Sequence, residues 1–409
     1  MKPDFDKIID RRHTNSLKHD SCDVVFGRED VLPLWVADMD FPVSEAVIGA
    51  MKKRLEHPVF GYFTHSEAFY QSIVDWMCRR HAWEIDKDWI CFTPGVVSGL
   101  AMSVQAFSRP GDKIIVQPPV YHPFYYVVER QGRVLLYNKL IRGEDQYFMD
   151  FPDLEEKLKS GAKMLLLCNP HNPVGRSWTK EELQRLGELC LKYHCLVVSD
   201  EIHADLIMKG YLHTPMASLS PSIAGNTITF MAPSKTFNLA GMASSEAIIS
   251  NPVLRKAFFD ISNGALHINM GNTFGDVALE AAYTHGEAWL DALLEYLNKS
   301  SDYLTNFISQ KLPALRLYRH EATYLIWVDF SALGMEHKAL QNKLVHEGGL
   351  GFSEGSIFGP GGEQHMRINI ACLLYNSDAA DEEDSVGRGG LRIKKKKTKK
   401  GDGVERKDE

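Results

Sequence analysis

The sequence predicts an α/β protein, built on a mostly parallel sheet with helices on both faces and followed by a smaller α+β unit. Three observations predict it. Between about residues 90 and 250, short β-rich runs recur with little polar alternation, as strands buried on both faces require. Between two of these runs lies a capped amphipathic helix, which makes a strand, helix, strand crossover. Beyond residue 310, two further strand-like runs flank a single helical segment, the pattern of a separate small unit.

In chain order, the first six runs are "DKIIVQ" (112–117), "RVLLYNK" (133–139), "KMLLLC" (163–168), "CLVVSD" (195–200), "NTITFM" (226–231) and "EAIIS" (246–250). The helix "TKEELQRLGELCLKYH" opens on Thr179 with Glu182 three residues on, a capping-box signature, and carries Leu183, Leu186 and Cys190 on one face. Residues about 275 to 310 read as one long helix or two successive ones. Then come "RLYRHEATYLIWVDFSAL" and "EQHMRINIAC", either side of a helix near 336–347. These elements divide the chain into an N-terminal arm with part of the small unit (1–45), a large unit (46–285) and a small unit (286–372). Residues 373–409 contain few apolar residues, an acidic block and a lysine run, a composition that predicts disorder. Because "CLLYNSDAADE" resembles a translated sequencing adaptor, this stretch is expected to be non-native.

Composition narrows the function. Of 409 residues, 44% are hydrophobic and 24% charged, ordinary for a globular protein, and no apolar run approaches the roughly 18 residues that cross a bilayer. The formal charge of -7, with no face interleaving aromatic and basic residues, argues against nucleic acid. The seven cysteines include no CxxC pair, the histidines are scattered and no HExxH occurs, so no metal site is expected. The N-terminus lacks a secretion signal, and a cytoplasmic location is expected. Small-molecule chemistry remains.

Lys235 begins the argument about that chemistry. It follows the buried run "NTITFM" and sits in "MAPSKTFNLAG" among small and turn-forming residues. A lysine deprived of water loses basicity and becomes a usable amine nucleophile and base, although a lone lysine at a strand end is more often a surface cation. Its companions decide. Asp200 ends "CLVVSD", and in a parallel sheet ligands gather beyond the carboxyl ends of the strands, so the two converge although 35 positions apart. Alone, Asp200 reads as a helix cap or ion-pair partner; beside a Schiff-base lysine it suits the ring nitrogen of pyridoxal phosphate, which must stay protonated. A third strand end supplies the rigid turn "CNPHNPVG" with Asn172, and a fourth supplies "PPVYHPF" with Tyr121, placed to stack on a flat ring or to fill the core. "FTPGVVSGLAMSVQAF" puts the amides of Val96 and Val97 at a helix start, where an anion is stabilised.

These residues resemble the fold type I pyridoxal-phosphate enzymes, the class I/II aminotransferase superfamily. Within it, "LPLWVADMDFP" (32–42), "GYF" (61–63), "DEIHADL" and "SKTFNLAG" look like the MalY/PatB-type cystathionine β-lyase branch, over residues 3 to 372. The resemblance implies that fold, with 46–285 as the cofactor-binding unit, and pyridoxal 5'-phosphate as cofactor. It implies that Lys235 forms the Schiff base, that Asp200 pairs with the pyridine nitrogen, that Asn172 bonds the 3-hydroxyl, that Tyr121 stacks on the ring, and that Val96, Val97 and Ser234 hold the phosphate. Tyr62 would reach the phosphate of the neighbouring subunit, which implies a homodimer with shared sites, and Tyr62 and Tyr121 would border the substrate. Arg367 would clamp the substrate carboxylate. Aminotransferases usually have a tyrosine where this chain has His203, which would neighbour the ring, and often a serine or threonine and an arginine where it has Ala232 and Ala243. The activity implied is β-elimination from L-cystathionine or a related cysteine S-conjugate, giving a thiol, pyruvate and ammonia. The rival is an aminotransferase with a keto-acid acceptor, and a cofactor-binding regulator of a transcription factor is a third reading.

Overall fold

The computed structural model describes residues 3–373. The expectation for 373–409 therefore falls, from residue 374 on, outside the described residues. Seven strands form the central sheet: β1 (Ile90–Thr93), β2 (Lys113–Val116), β3 (Val134–Tyr137), β4 (Met164–Cys168), β5 (Leu196–Asp200), β6 (Thr227–Met231) and β7 (Ser245–Ile248). Their spatial order is β1-β7-β6-β5-β4-β2-β3. All neighbours are parallel except at β7, which runs antiparallel to both β1 and β6. Two reversals cancel, so β1 points the same way as β2 to β6. Six carboxyl ends therefore open on one edge of the sheet, and that edge positions the site.

Burial follows the sequence pattern. Strands β4, β5 and β6 are buried at every position, whereas β3, at the sheet edge, leaves Val134 and Tyr137 exposed. Strand β1 went unnoticed in the sequence because "ICFT" is four residues long and runs straight into the Pro94–Gly95 turn.

Helices α1 (Glu45–Leu55), α2 (Glu67–His81), α3 (Val96–Phe107), α4 (Lys180–Lys192), α5 (Thr273–His285) and α6 (Glu287–Lys311) cover the sheet and its flank. The expected capping box opens α4: Thr179 Oγ1 accepts from Glu182 N, and Glu182 accepts from Thr179 N. Residues 275–310 resolve into two helices, parted at Gly286. A Cβ there would strike the Ala282 carbonyl and the Phe237 ring, so only glycine allows the close approach.

The second sheet is antiparallel, in the order β8 (Arg316–Leu317), β9 (Leu325–Asp329), β11 (His365–Asn369), β10 (Ser353–Glu354). The N-terminal segment is tied to this part of the chain by a separate two-stranded parallel pairing, Leu32–Pro33 with Leu350–Gly351. One apolar cluster runs from Trp76 in α2 through Leu290 in α6 to Leu325 and Ile368, and ties the two sheets into one body. Among the described residues, no helix is long and apolar enough to cross a membrane.

Candidate active site

Lys235 owes its place to a proline. After β6 the chain is extended at Ala232, and Pro233, with its fixed φ, opens a single helical turn, Pro233–Thr236. That turn sets Lys235 on the wall of a cavity of about 200 Å³ at the carboxyl edge of the sheet. Its Nζ donates to the Ala37 carbonyl at 2.6 Å. Loss of hydration pushes the amine from 10.5 down to about 8, with the Arg367 charge adding to the effect and Asp38 and Asp200 opposing it.

Asp200, the last residue of β5, faces the same cavity and is 4% exposed. Burial lifts its carboxyl from 3.8 to about 7, against the Ile202 amide at 3.1 Å and the charge of Lys235, while Glu201 raises it further. A carboxyl and an amine whose ionisations are pulled toward each other in one cavity are what proton-transfer chemistry near neutral pH uses.

Asn172, Tyr121, Ser234, Val96 and Val97 line this cavity with them. Arg367 on β11 donates from Nη1 to Asn172 Oδ1 at 3.1 Å, and from Nη2 to the Trp35 carbonyl at 2.8 Å and to Ser353 Oγ at 3.1 Å. Since the Asn172 oxygen is thereby occupied, its amide nitrogen is turned out as a donor. The Arg367 Nε is buried without a partner, and burial depresses the guanidinium to about 10. His203 also lines the cavity, edge-on to Tyr324 at 6.0 Å, and desolvation holds its imidazole well below the usual range, neutral at pH 7.

The residues fit pyridoxal phosphate. Helix α3 starts at Gly95 with no side-chain cap, so the first-turn amides of Val96, Val97 and Ser98, all on the cavity wall, are donors without an intrahelical partner. Ala243 supplies no guanidinium, but beside it Ser244 brings a buried hydroxyl with no partner to the same wall. Lys235, Asp200 and the Asn172 amide complete an amine, an acid and a donor around one volume.

Tyr62 stands apart. It is 98% exposed, on a loop where Val59 and Phe60 are also exposed, and it does not line this chain's cavity. Several participants escaped the sequence reading. The Ala37 carbonyl accepts from Lys235 and also from Tyr324 Oη at 2.8 Å, and a backbone oxygen has no residue signature. "WVADMDF" was legible as a string, but the string does not show that it also presents backbone carbonyls. Asn369 Nδ2 holds those of Val36 and Asp38, at 2.7 and 2.6 Å, and Asn238 Nδ2 holds that of Met39 at 3.0 Å. Tyr324, inside "EATYLIW", reads only as a strand residue, and Ser244 is one serine among many.

Comparison with known proteins agrees with this geometry. The profile of the family "Aminotransferase class I and II" matches residues 29–376. The chain is 46% identical over 371 residues to cystathionine beta-lyase PatB of Bacillus subtilis (strain 168), covering 90% of this chain and 96% of that one. It is 31% identical to protein MalY of Escherichia coli (strain K12), with 90% and 94% covered. Cystalysin from Treponema denticola, solved with a pyridoxal 5'-phosphate cofactor, superposes with a TM-score of 0.89 at 39% identity, over 92% of this chain and 97% of that one. With nearly its whole length in common with these relatives, the chain belongs to the class I and II aminotransferase family of pyridoxal-phosphate-dependent fold.

Proposed function

We propose that the protein is a pyridoxal-phosphate-dependent carbon–sulfur β-lyase that splits L-cystathionine, or a related cysteine S-conjugate, with one water into a thiol, pyruvate and ammonia. The observation that carries it is the convergence of Lys235 and Asp200 in one cavity, near about 8 and about 7, in a chain 46% identical to a cystathionine beta-lyase. Bound pyridoxal phosphate supplies the electron sink that takes up the pair left when the substrate Cα loses its proton. Asp200 keeps the ring nitrogen protonated, and the Asn172 amide donates to the 3-hydroxyl. Tyr121 covers the ring face. The α3 amides of Val96 and Val97, with Ser234, hold the phosphate.

Lys235 is the base. At about 8 its amine is unprotonated in a useful fraction of molecules near neutral pH, so it can take the Cα proton and return it to the departing sulfur. Arg367 clamps the substrate carboxylate with the N–H groups its protein partners leave over, the unpartnered Nε and the second hydrogen of Nη1. Neutral His203 neighbours the ring without adding a charge. Tyr62, almost wholly exposed, fits a role in the neighbouring subunit's site, which supports a homodimer as the working unit; each chain divides into an arm (1–45), a large unit (46–285) and a small unit (286–372), and the protein works in the cytoplasm.

The deciding experiment is pyruvate release from L-cystathionine by protein loaded with pyridoxal phosphate, with no keto acid present. Pyruvate together with free homocysteine is expected. No pyruvate, from protein that shows the lysine–cofactor absorbance band, would move the assignment to an aminotransferase.

A further inference from the structure

The segment that carries Asp200 does a second thing five residues on. Asp205 points away from the cavity, toward the back of the turn that carries Lys235. Its Oδ2 accepts from Thr236 Oγ1 at 2.8 Å, and Thr236 is the residue next to Lys235. The same carboxylate accepts from Trp76 Nε1, at 3.2 Å to Oδ1 and 3.3 Å to Oδ2. His81 Nε2 lies 3.0 Å from Oδ1. Trp76 and Thr236 are fully buried and Asp205 is 8% exposed. Burial would push the Asp205 carboxyl up, but the His81 imidazole and the Thr236 hydroxyl more than offset it, leaving an ionised acceptor.

A turn of four residues has no helical bulk of its own to resist displacement. On its forward side the turn meets the cavity, where Lys235 Nζ bonds the Ala37 carbonyl, so the contacts behind the turn are what hold it once the lysine engages another group. Trp76 and His81 belong to α2, packed in the main core, and Trp76 stacks on Tyr283 of α5 at 5.2 Å. Asp205 thus connects a rigid helix pair to the lysine turn by hydrogen bonds that survive only if the turn stays in register.

We propose that Asp205 is a positioning residue for Lys235, acting through the Thr236 hydroxyl to hold the lysine turn against α2. This rests on Lys235 being the lysine that carries the cofactor. Reactions of this kind are sensitive to placement, and a displacement of about 1 Å can lower a rate on the order of a hundredfold. The loss should therefore fall on kcat rather than on KM, because Arg367 and Asn172 lie on other elements.

The test compares Thr236→Val, which keeps the side-chain shape and removes the donor, with Thr236→Ser, which keeps the donor, both as cofactor-loaded protein. Thr236→Val is expected to lower kcat roughly tenfold to a hundredfold with KM little changed. It should also shift the lysine–cofactor absorbance band, and Thr236→Ser should restore both. A wild-type kcat and band in Thr236→Val would overturn the proposal, as would equal losses in the two variants. If the wild-type protein itself shows no such band, and Lys235→Ala leaves its spectrum unchanged, the reading of Lys235 fails rather than the role of Asp205. Should Thr236→Val not fold, Asp205→Leu, which keeps the side-chain shape and removes the acceptor, gives a second route with the same band as readout: an unchanged band in folded Asp205→Leu overturns the proposal.

Discussion

At the scale of single residues, the site is a pair of ionisable groups held where neither is comfortable. The folded carboxyl of Asp200, at about 7, lies above its ordinary 3.8, so its contribution to stability is complete below about 4 and is lost as pH rises through about 7. The amine of Lys235, at about 8, lies below 10.5, so its contribution is complete above that value and is lost as pH falls through about 8. Both are missing between about 7 and 8, where the cofactor-free protein has its local minimum of stability from these two groups. Asp200→Asn should then stabilise cofactor-free protein at pH 8 by on the order of a few kcal/mol, less whatever Lys235 already offsets, and by much less at pH 5, and so raise the melting temperature more at pH 8 than at pH 5. Scanning fluorimetry at the two pH values checks this, and an equal change at both would show that Asp200 is not the group that titrates. The same substitution should abolish elimination, since nothing else described at that strand end can keep the ring nitrogen protonated.

Among the elements, α3 matters most, because its first turn offers the phosphate donors. What sets its height above the sheet is Gly99, whose missing side chain lets the helix settle on the Phe230 ring of β6. A Cβ at Gly99 would collide with that ring, which is fully buried and packs on Phe258 at 5.9 Å. Gly99→Ala gains helix propensity of about 1 kcal/mol but overpacks the core by roughly 1–3 kcal/mol, so a net loss is expected. The displaced helix should also bind the cofactor phosphate more weakly. Thermal melting and the pyridoxal phosphate dissociation constant report the two effects, and an unchanged value of both would mean that the ring moves aside instead.

For the molecule as a whole, the exposed loop at Tyr62 points to a partner. Tyr62, Phe60 and Val59 form an exposed apolar loop on a chain whose cavity Tyr62 does not reach. In a symmetric dimer each site would borrow the partner's loop. In a mixed dimer, Lys235→Ala on one subunit and Tyr62→Ala on the other would then place both defects in one site and leave the other whole. Mixing the two inactive homodimers under subunit exchange should restore about a quarter of the wild-type specific activity, because about half the dimers are mixed and each has one intact site. Light scattering establishes the dimer. Absence of any recovery after proven exchange would place Tyr62 outside the shared site.

Sequence by itself determined the sheet, the amphipathic α4 and the residues at the strand ends. Uninterrupted apolar runs cannot be satisfied except on both faces of a sheet, and Lys235, Asp200, Asn172 and Tyr121 are side chains whose chemistry is visible in their letters. The strings around them likewise carry the family resemblance in the sequence alone. What only the tertiary structure decided is whatever depends on contact between distant backbone segments. Strand β1 was too short to announce itself, and its direction became fixed only through two antiparallel neighbours. The Ala37 carbonyl under Lys235, the unpartnered Ser244 hydroxyl and the grip of Asp205 on Thr236 have no local signature. Hydrogen bonds of this kind arise because burial strips both groups of water and leaves each other as their remaining partners, and which groups are stripped together is a property of the fold.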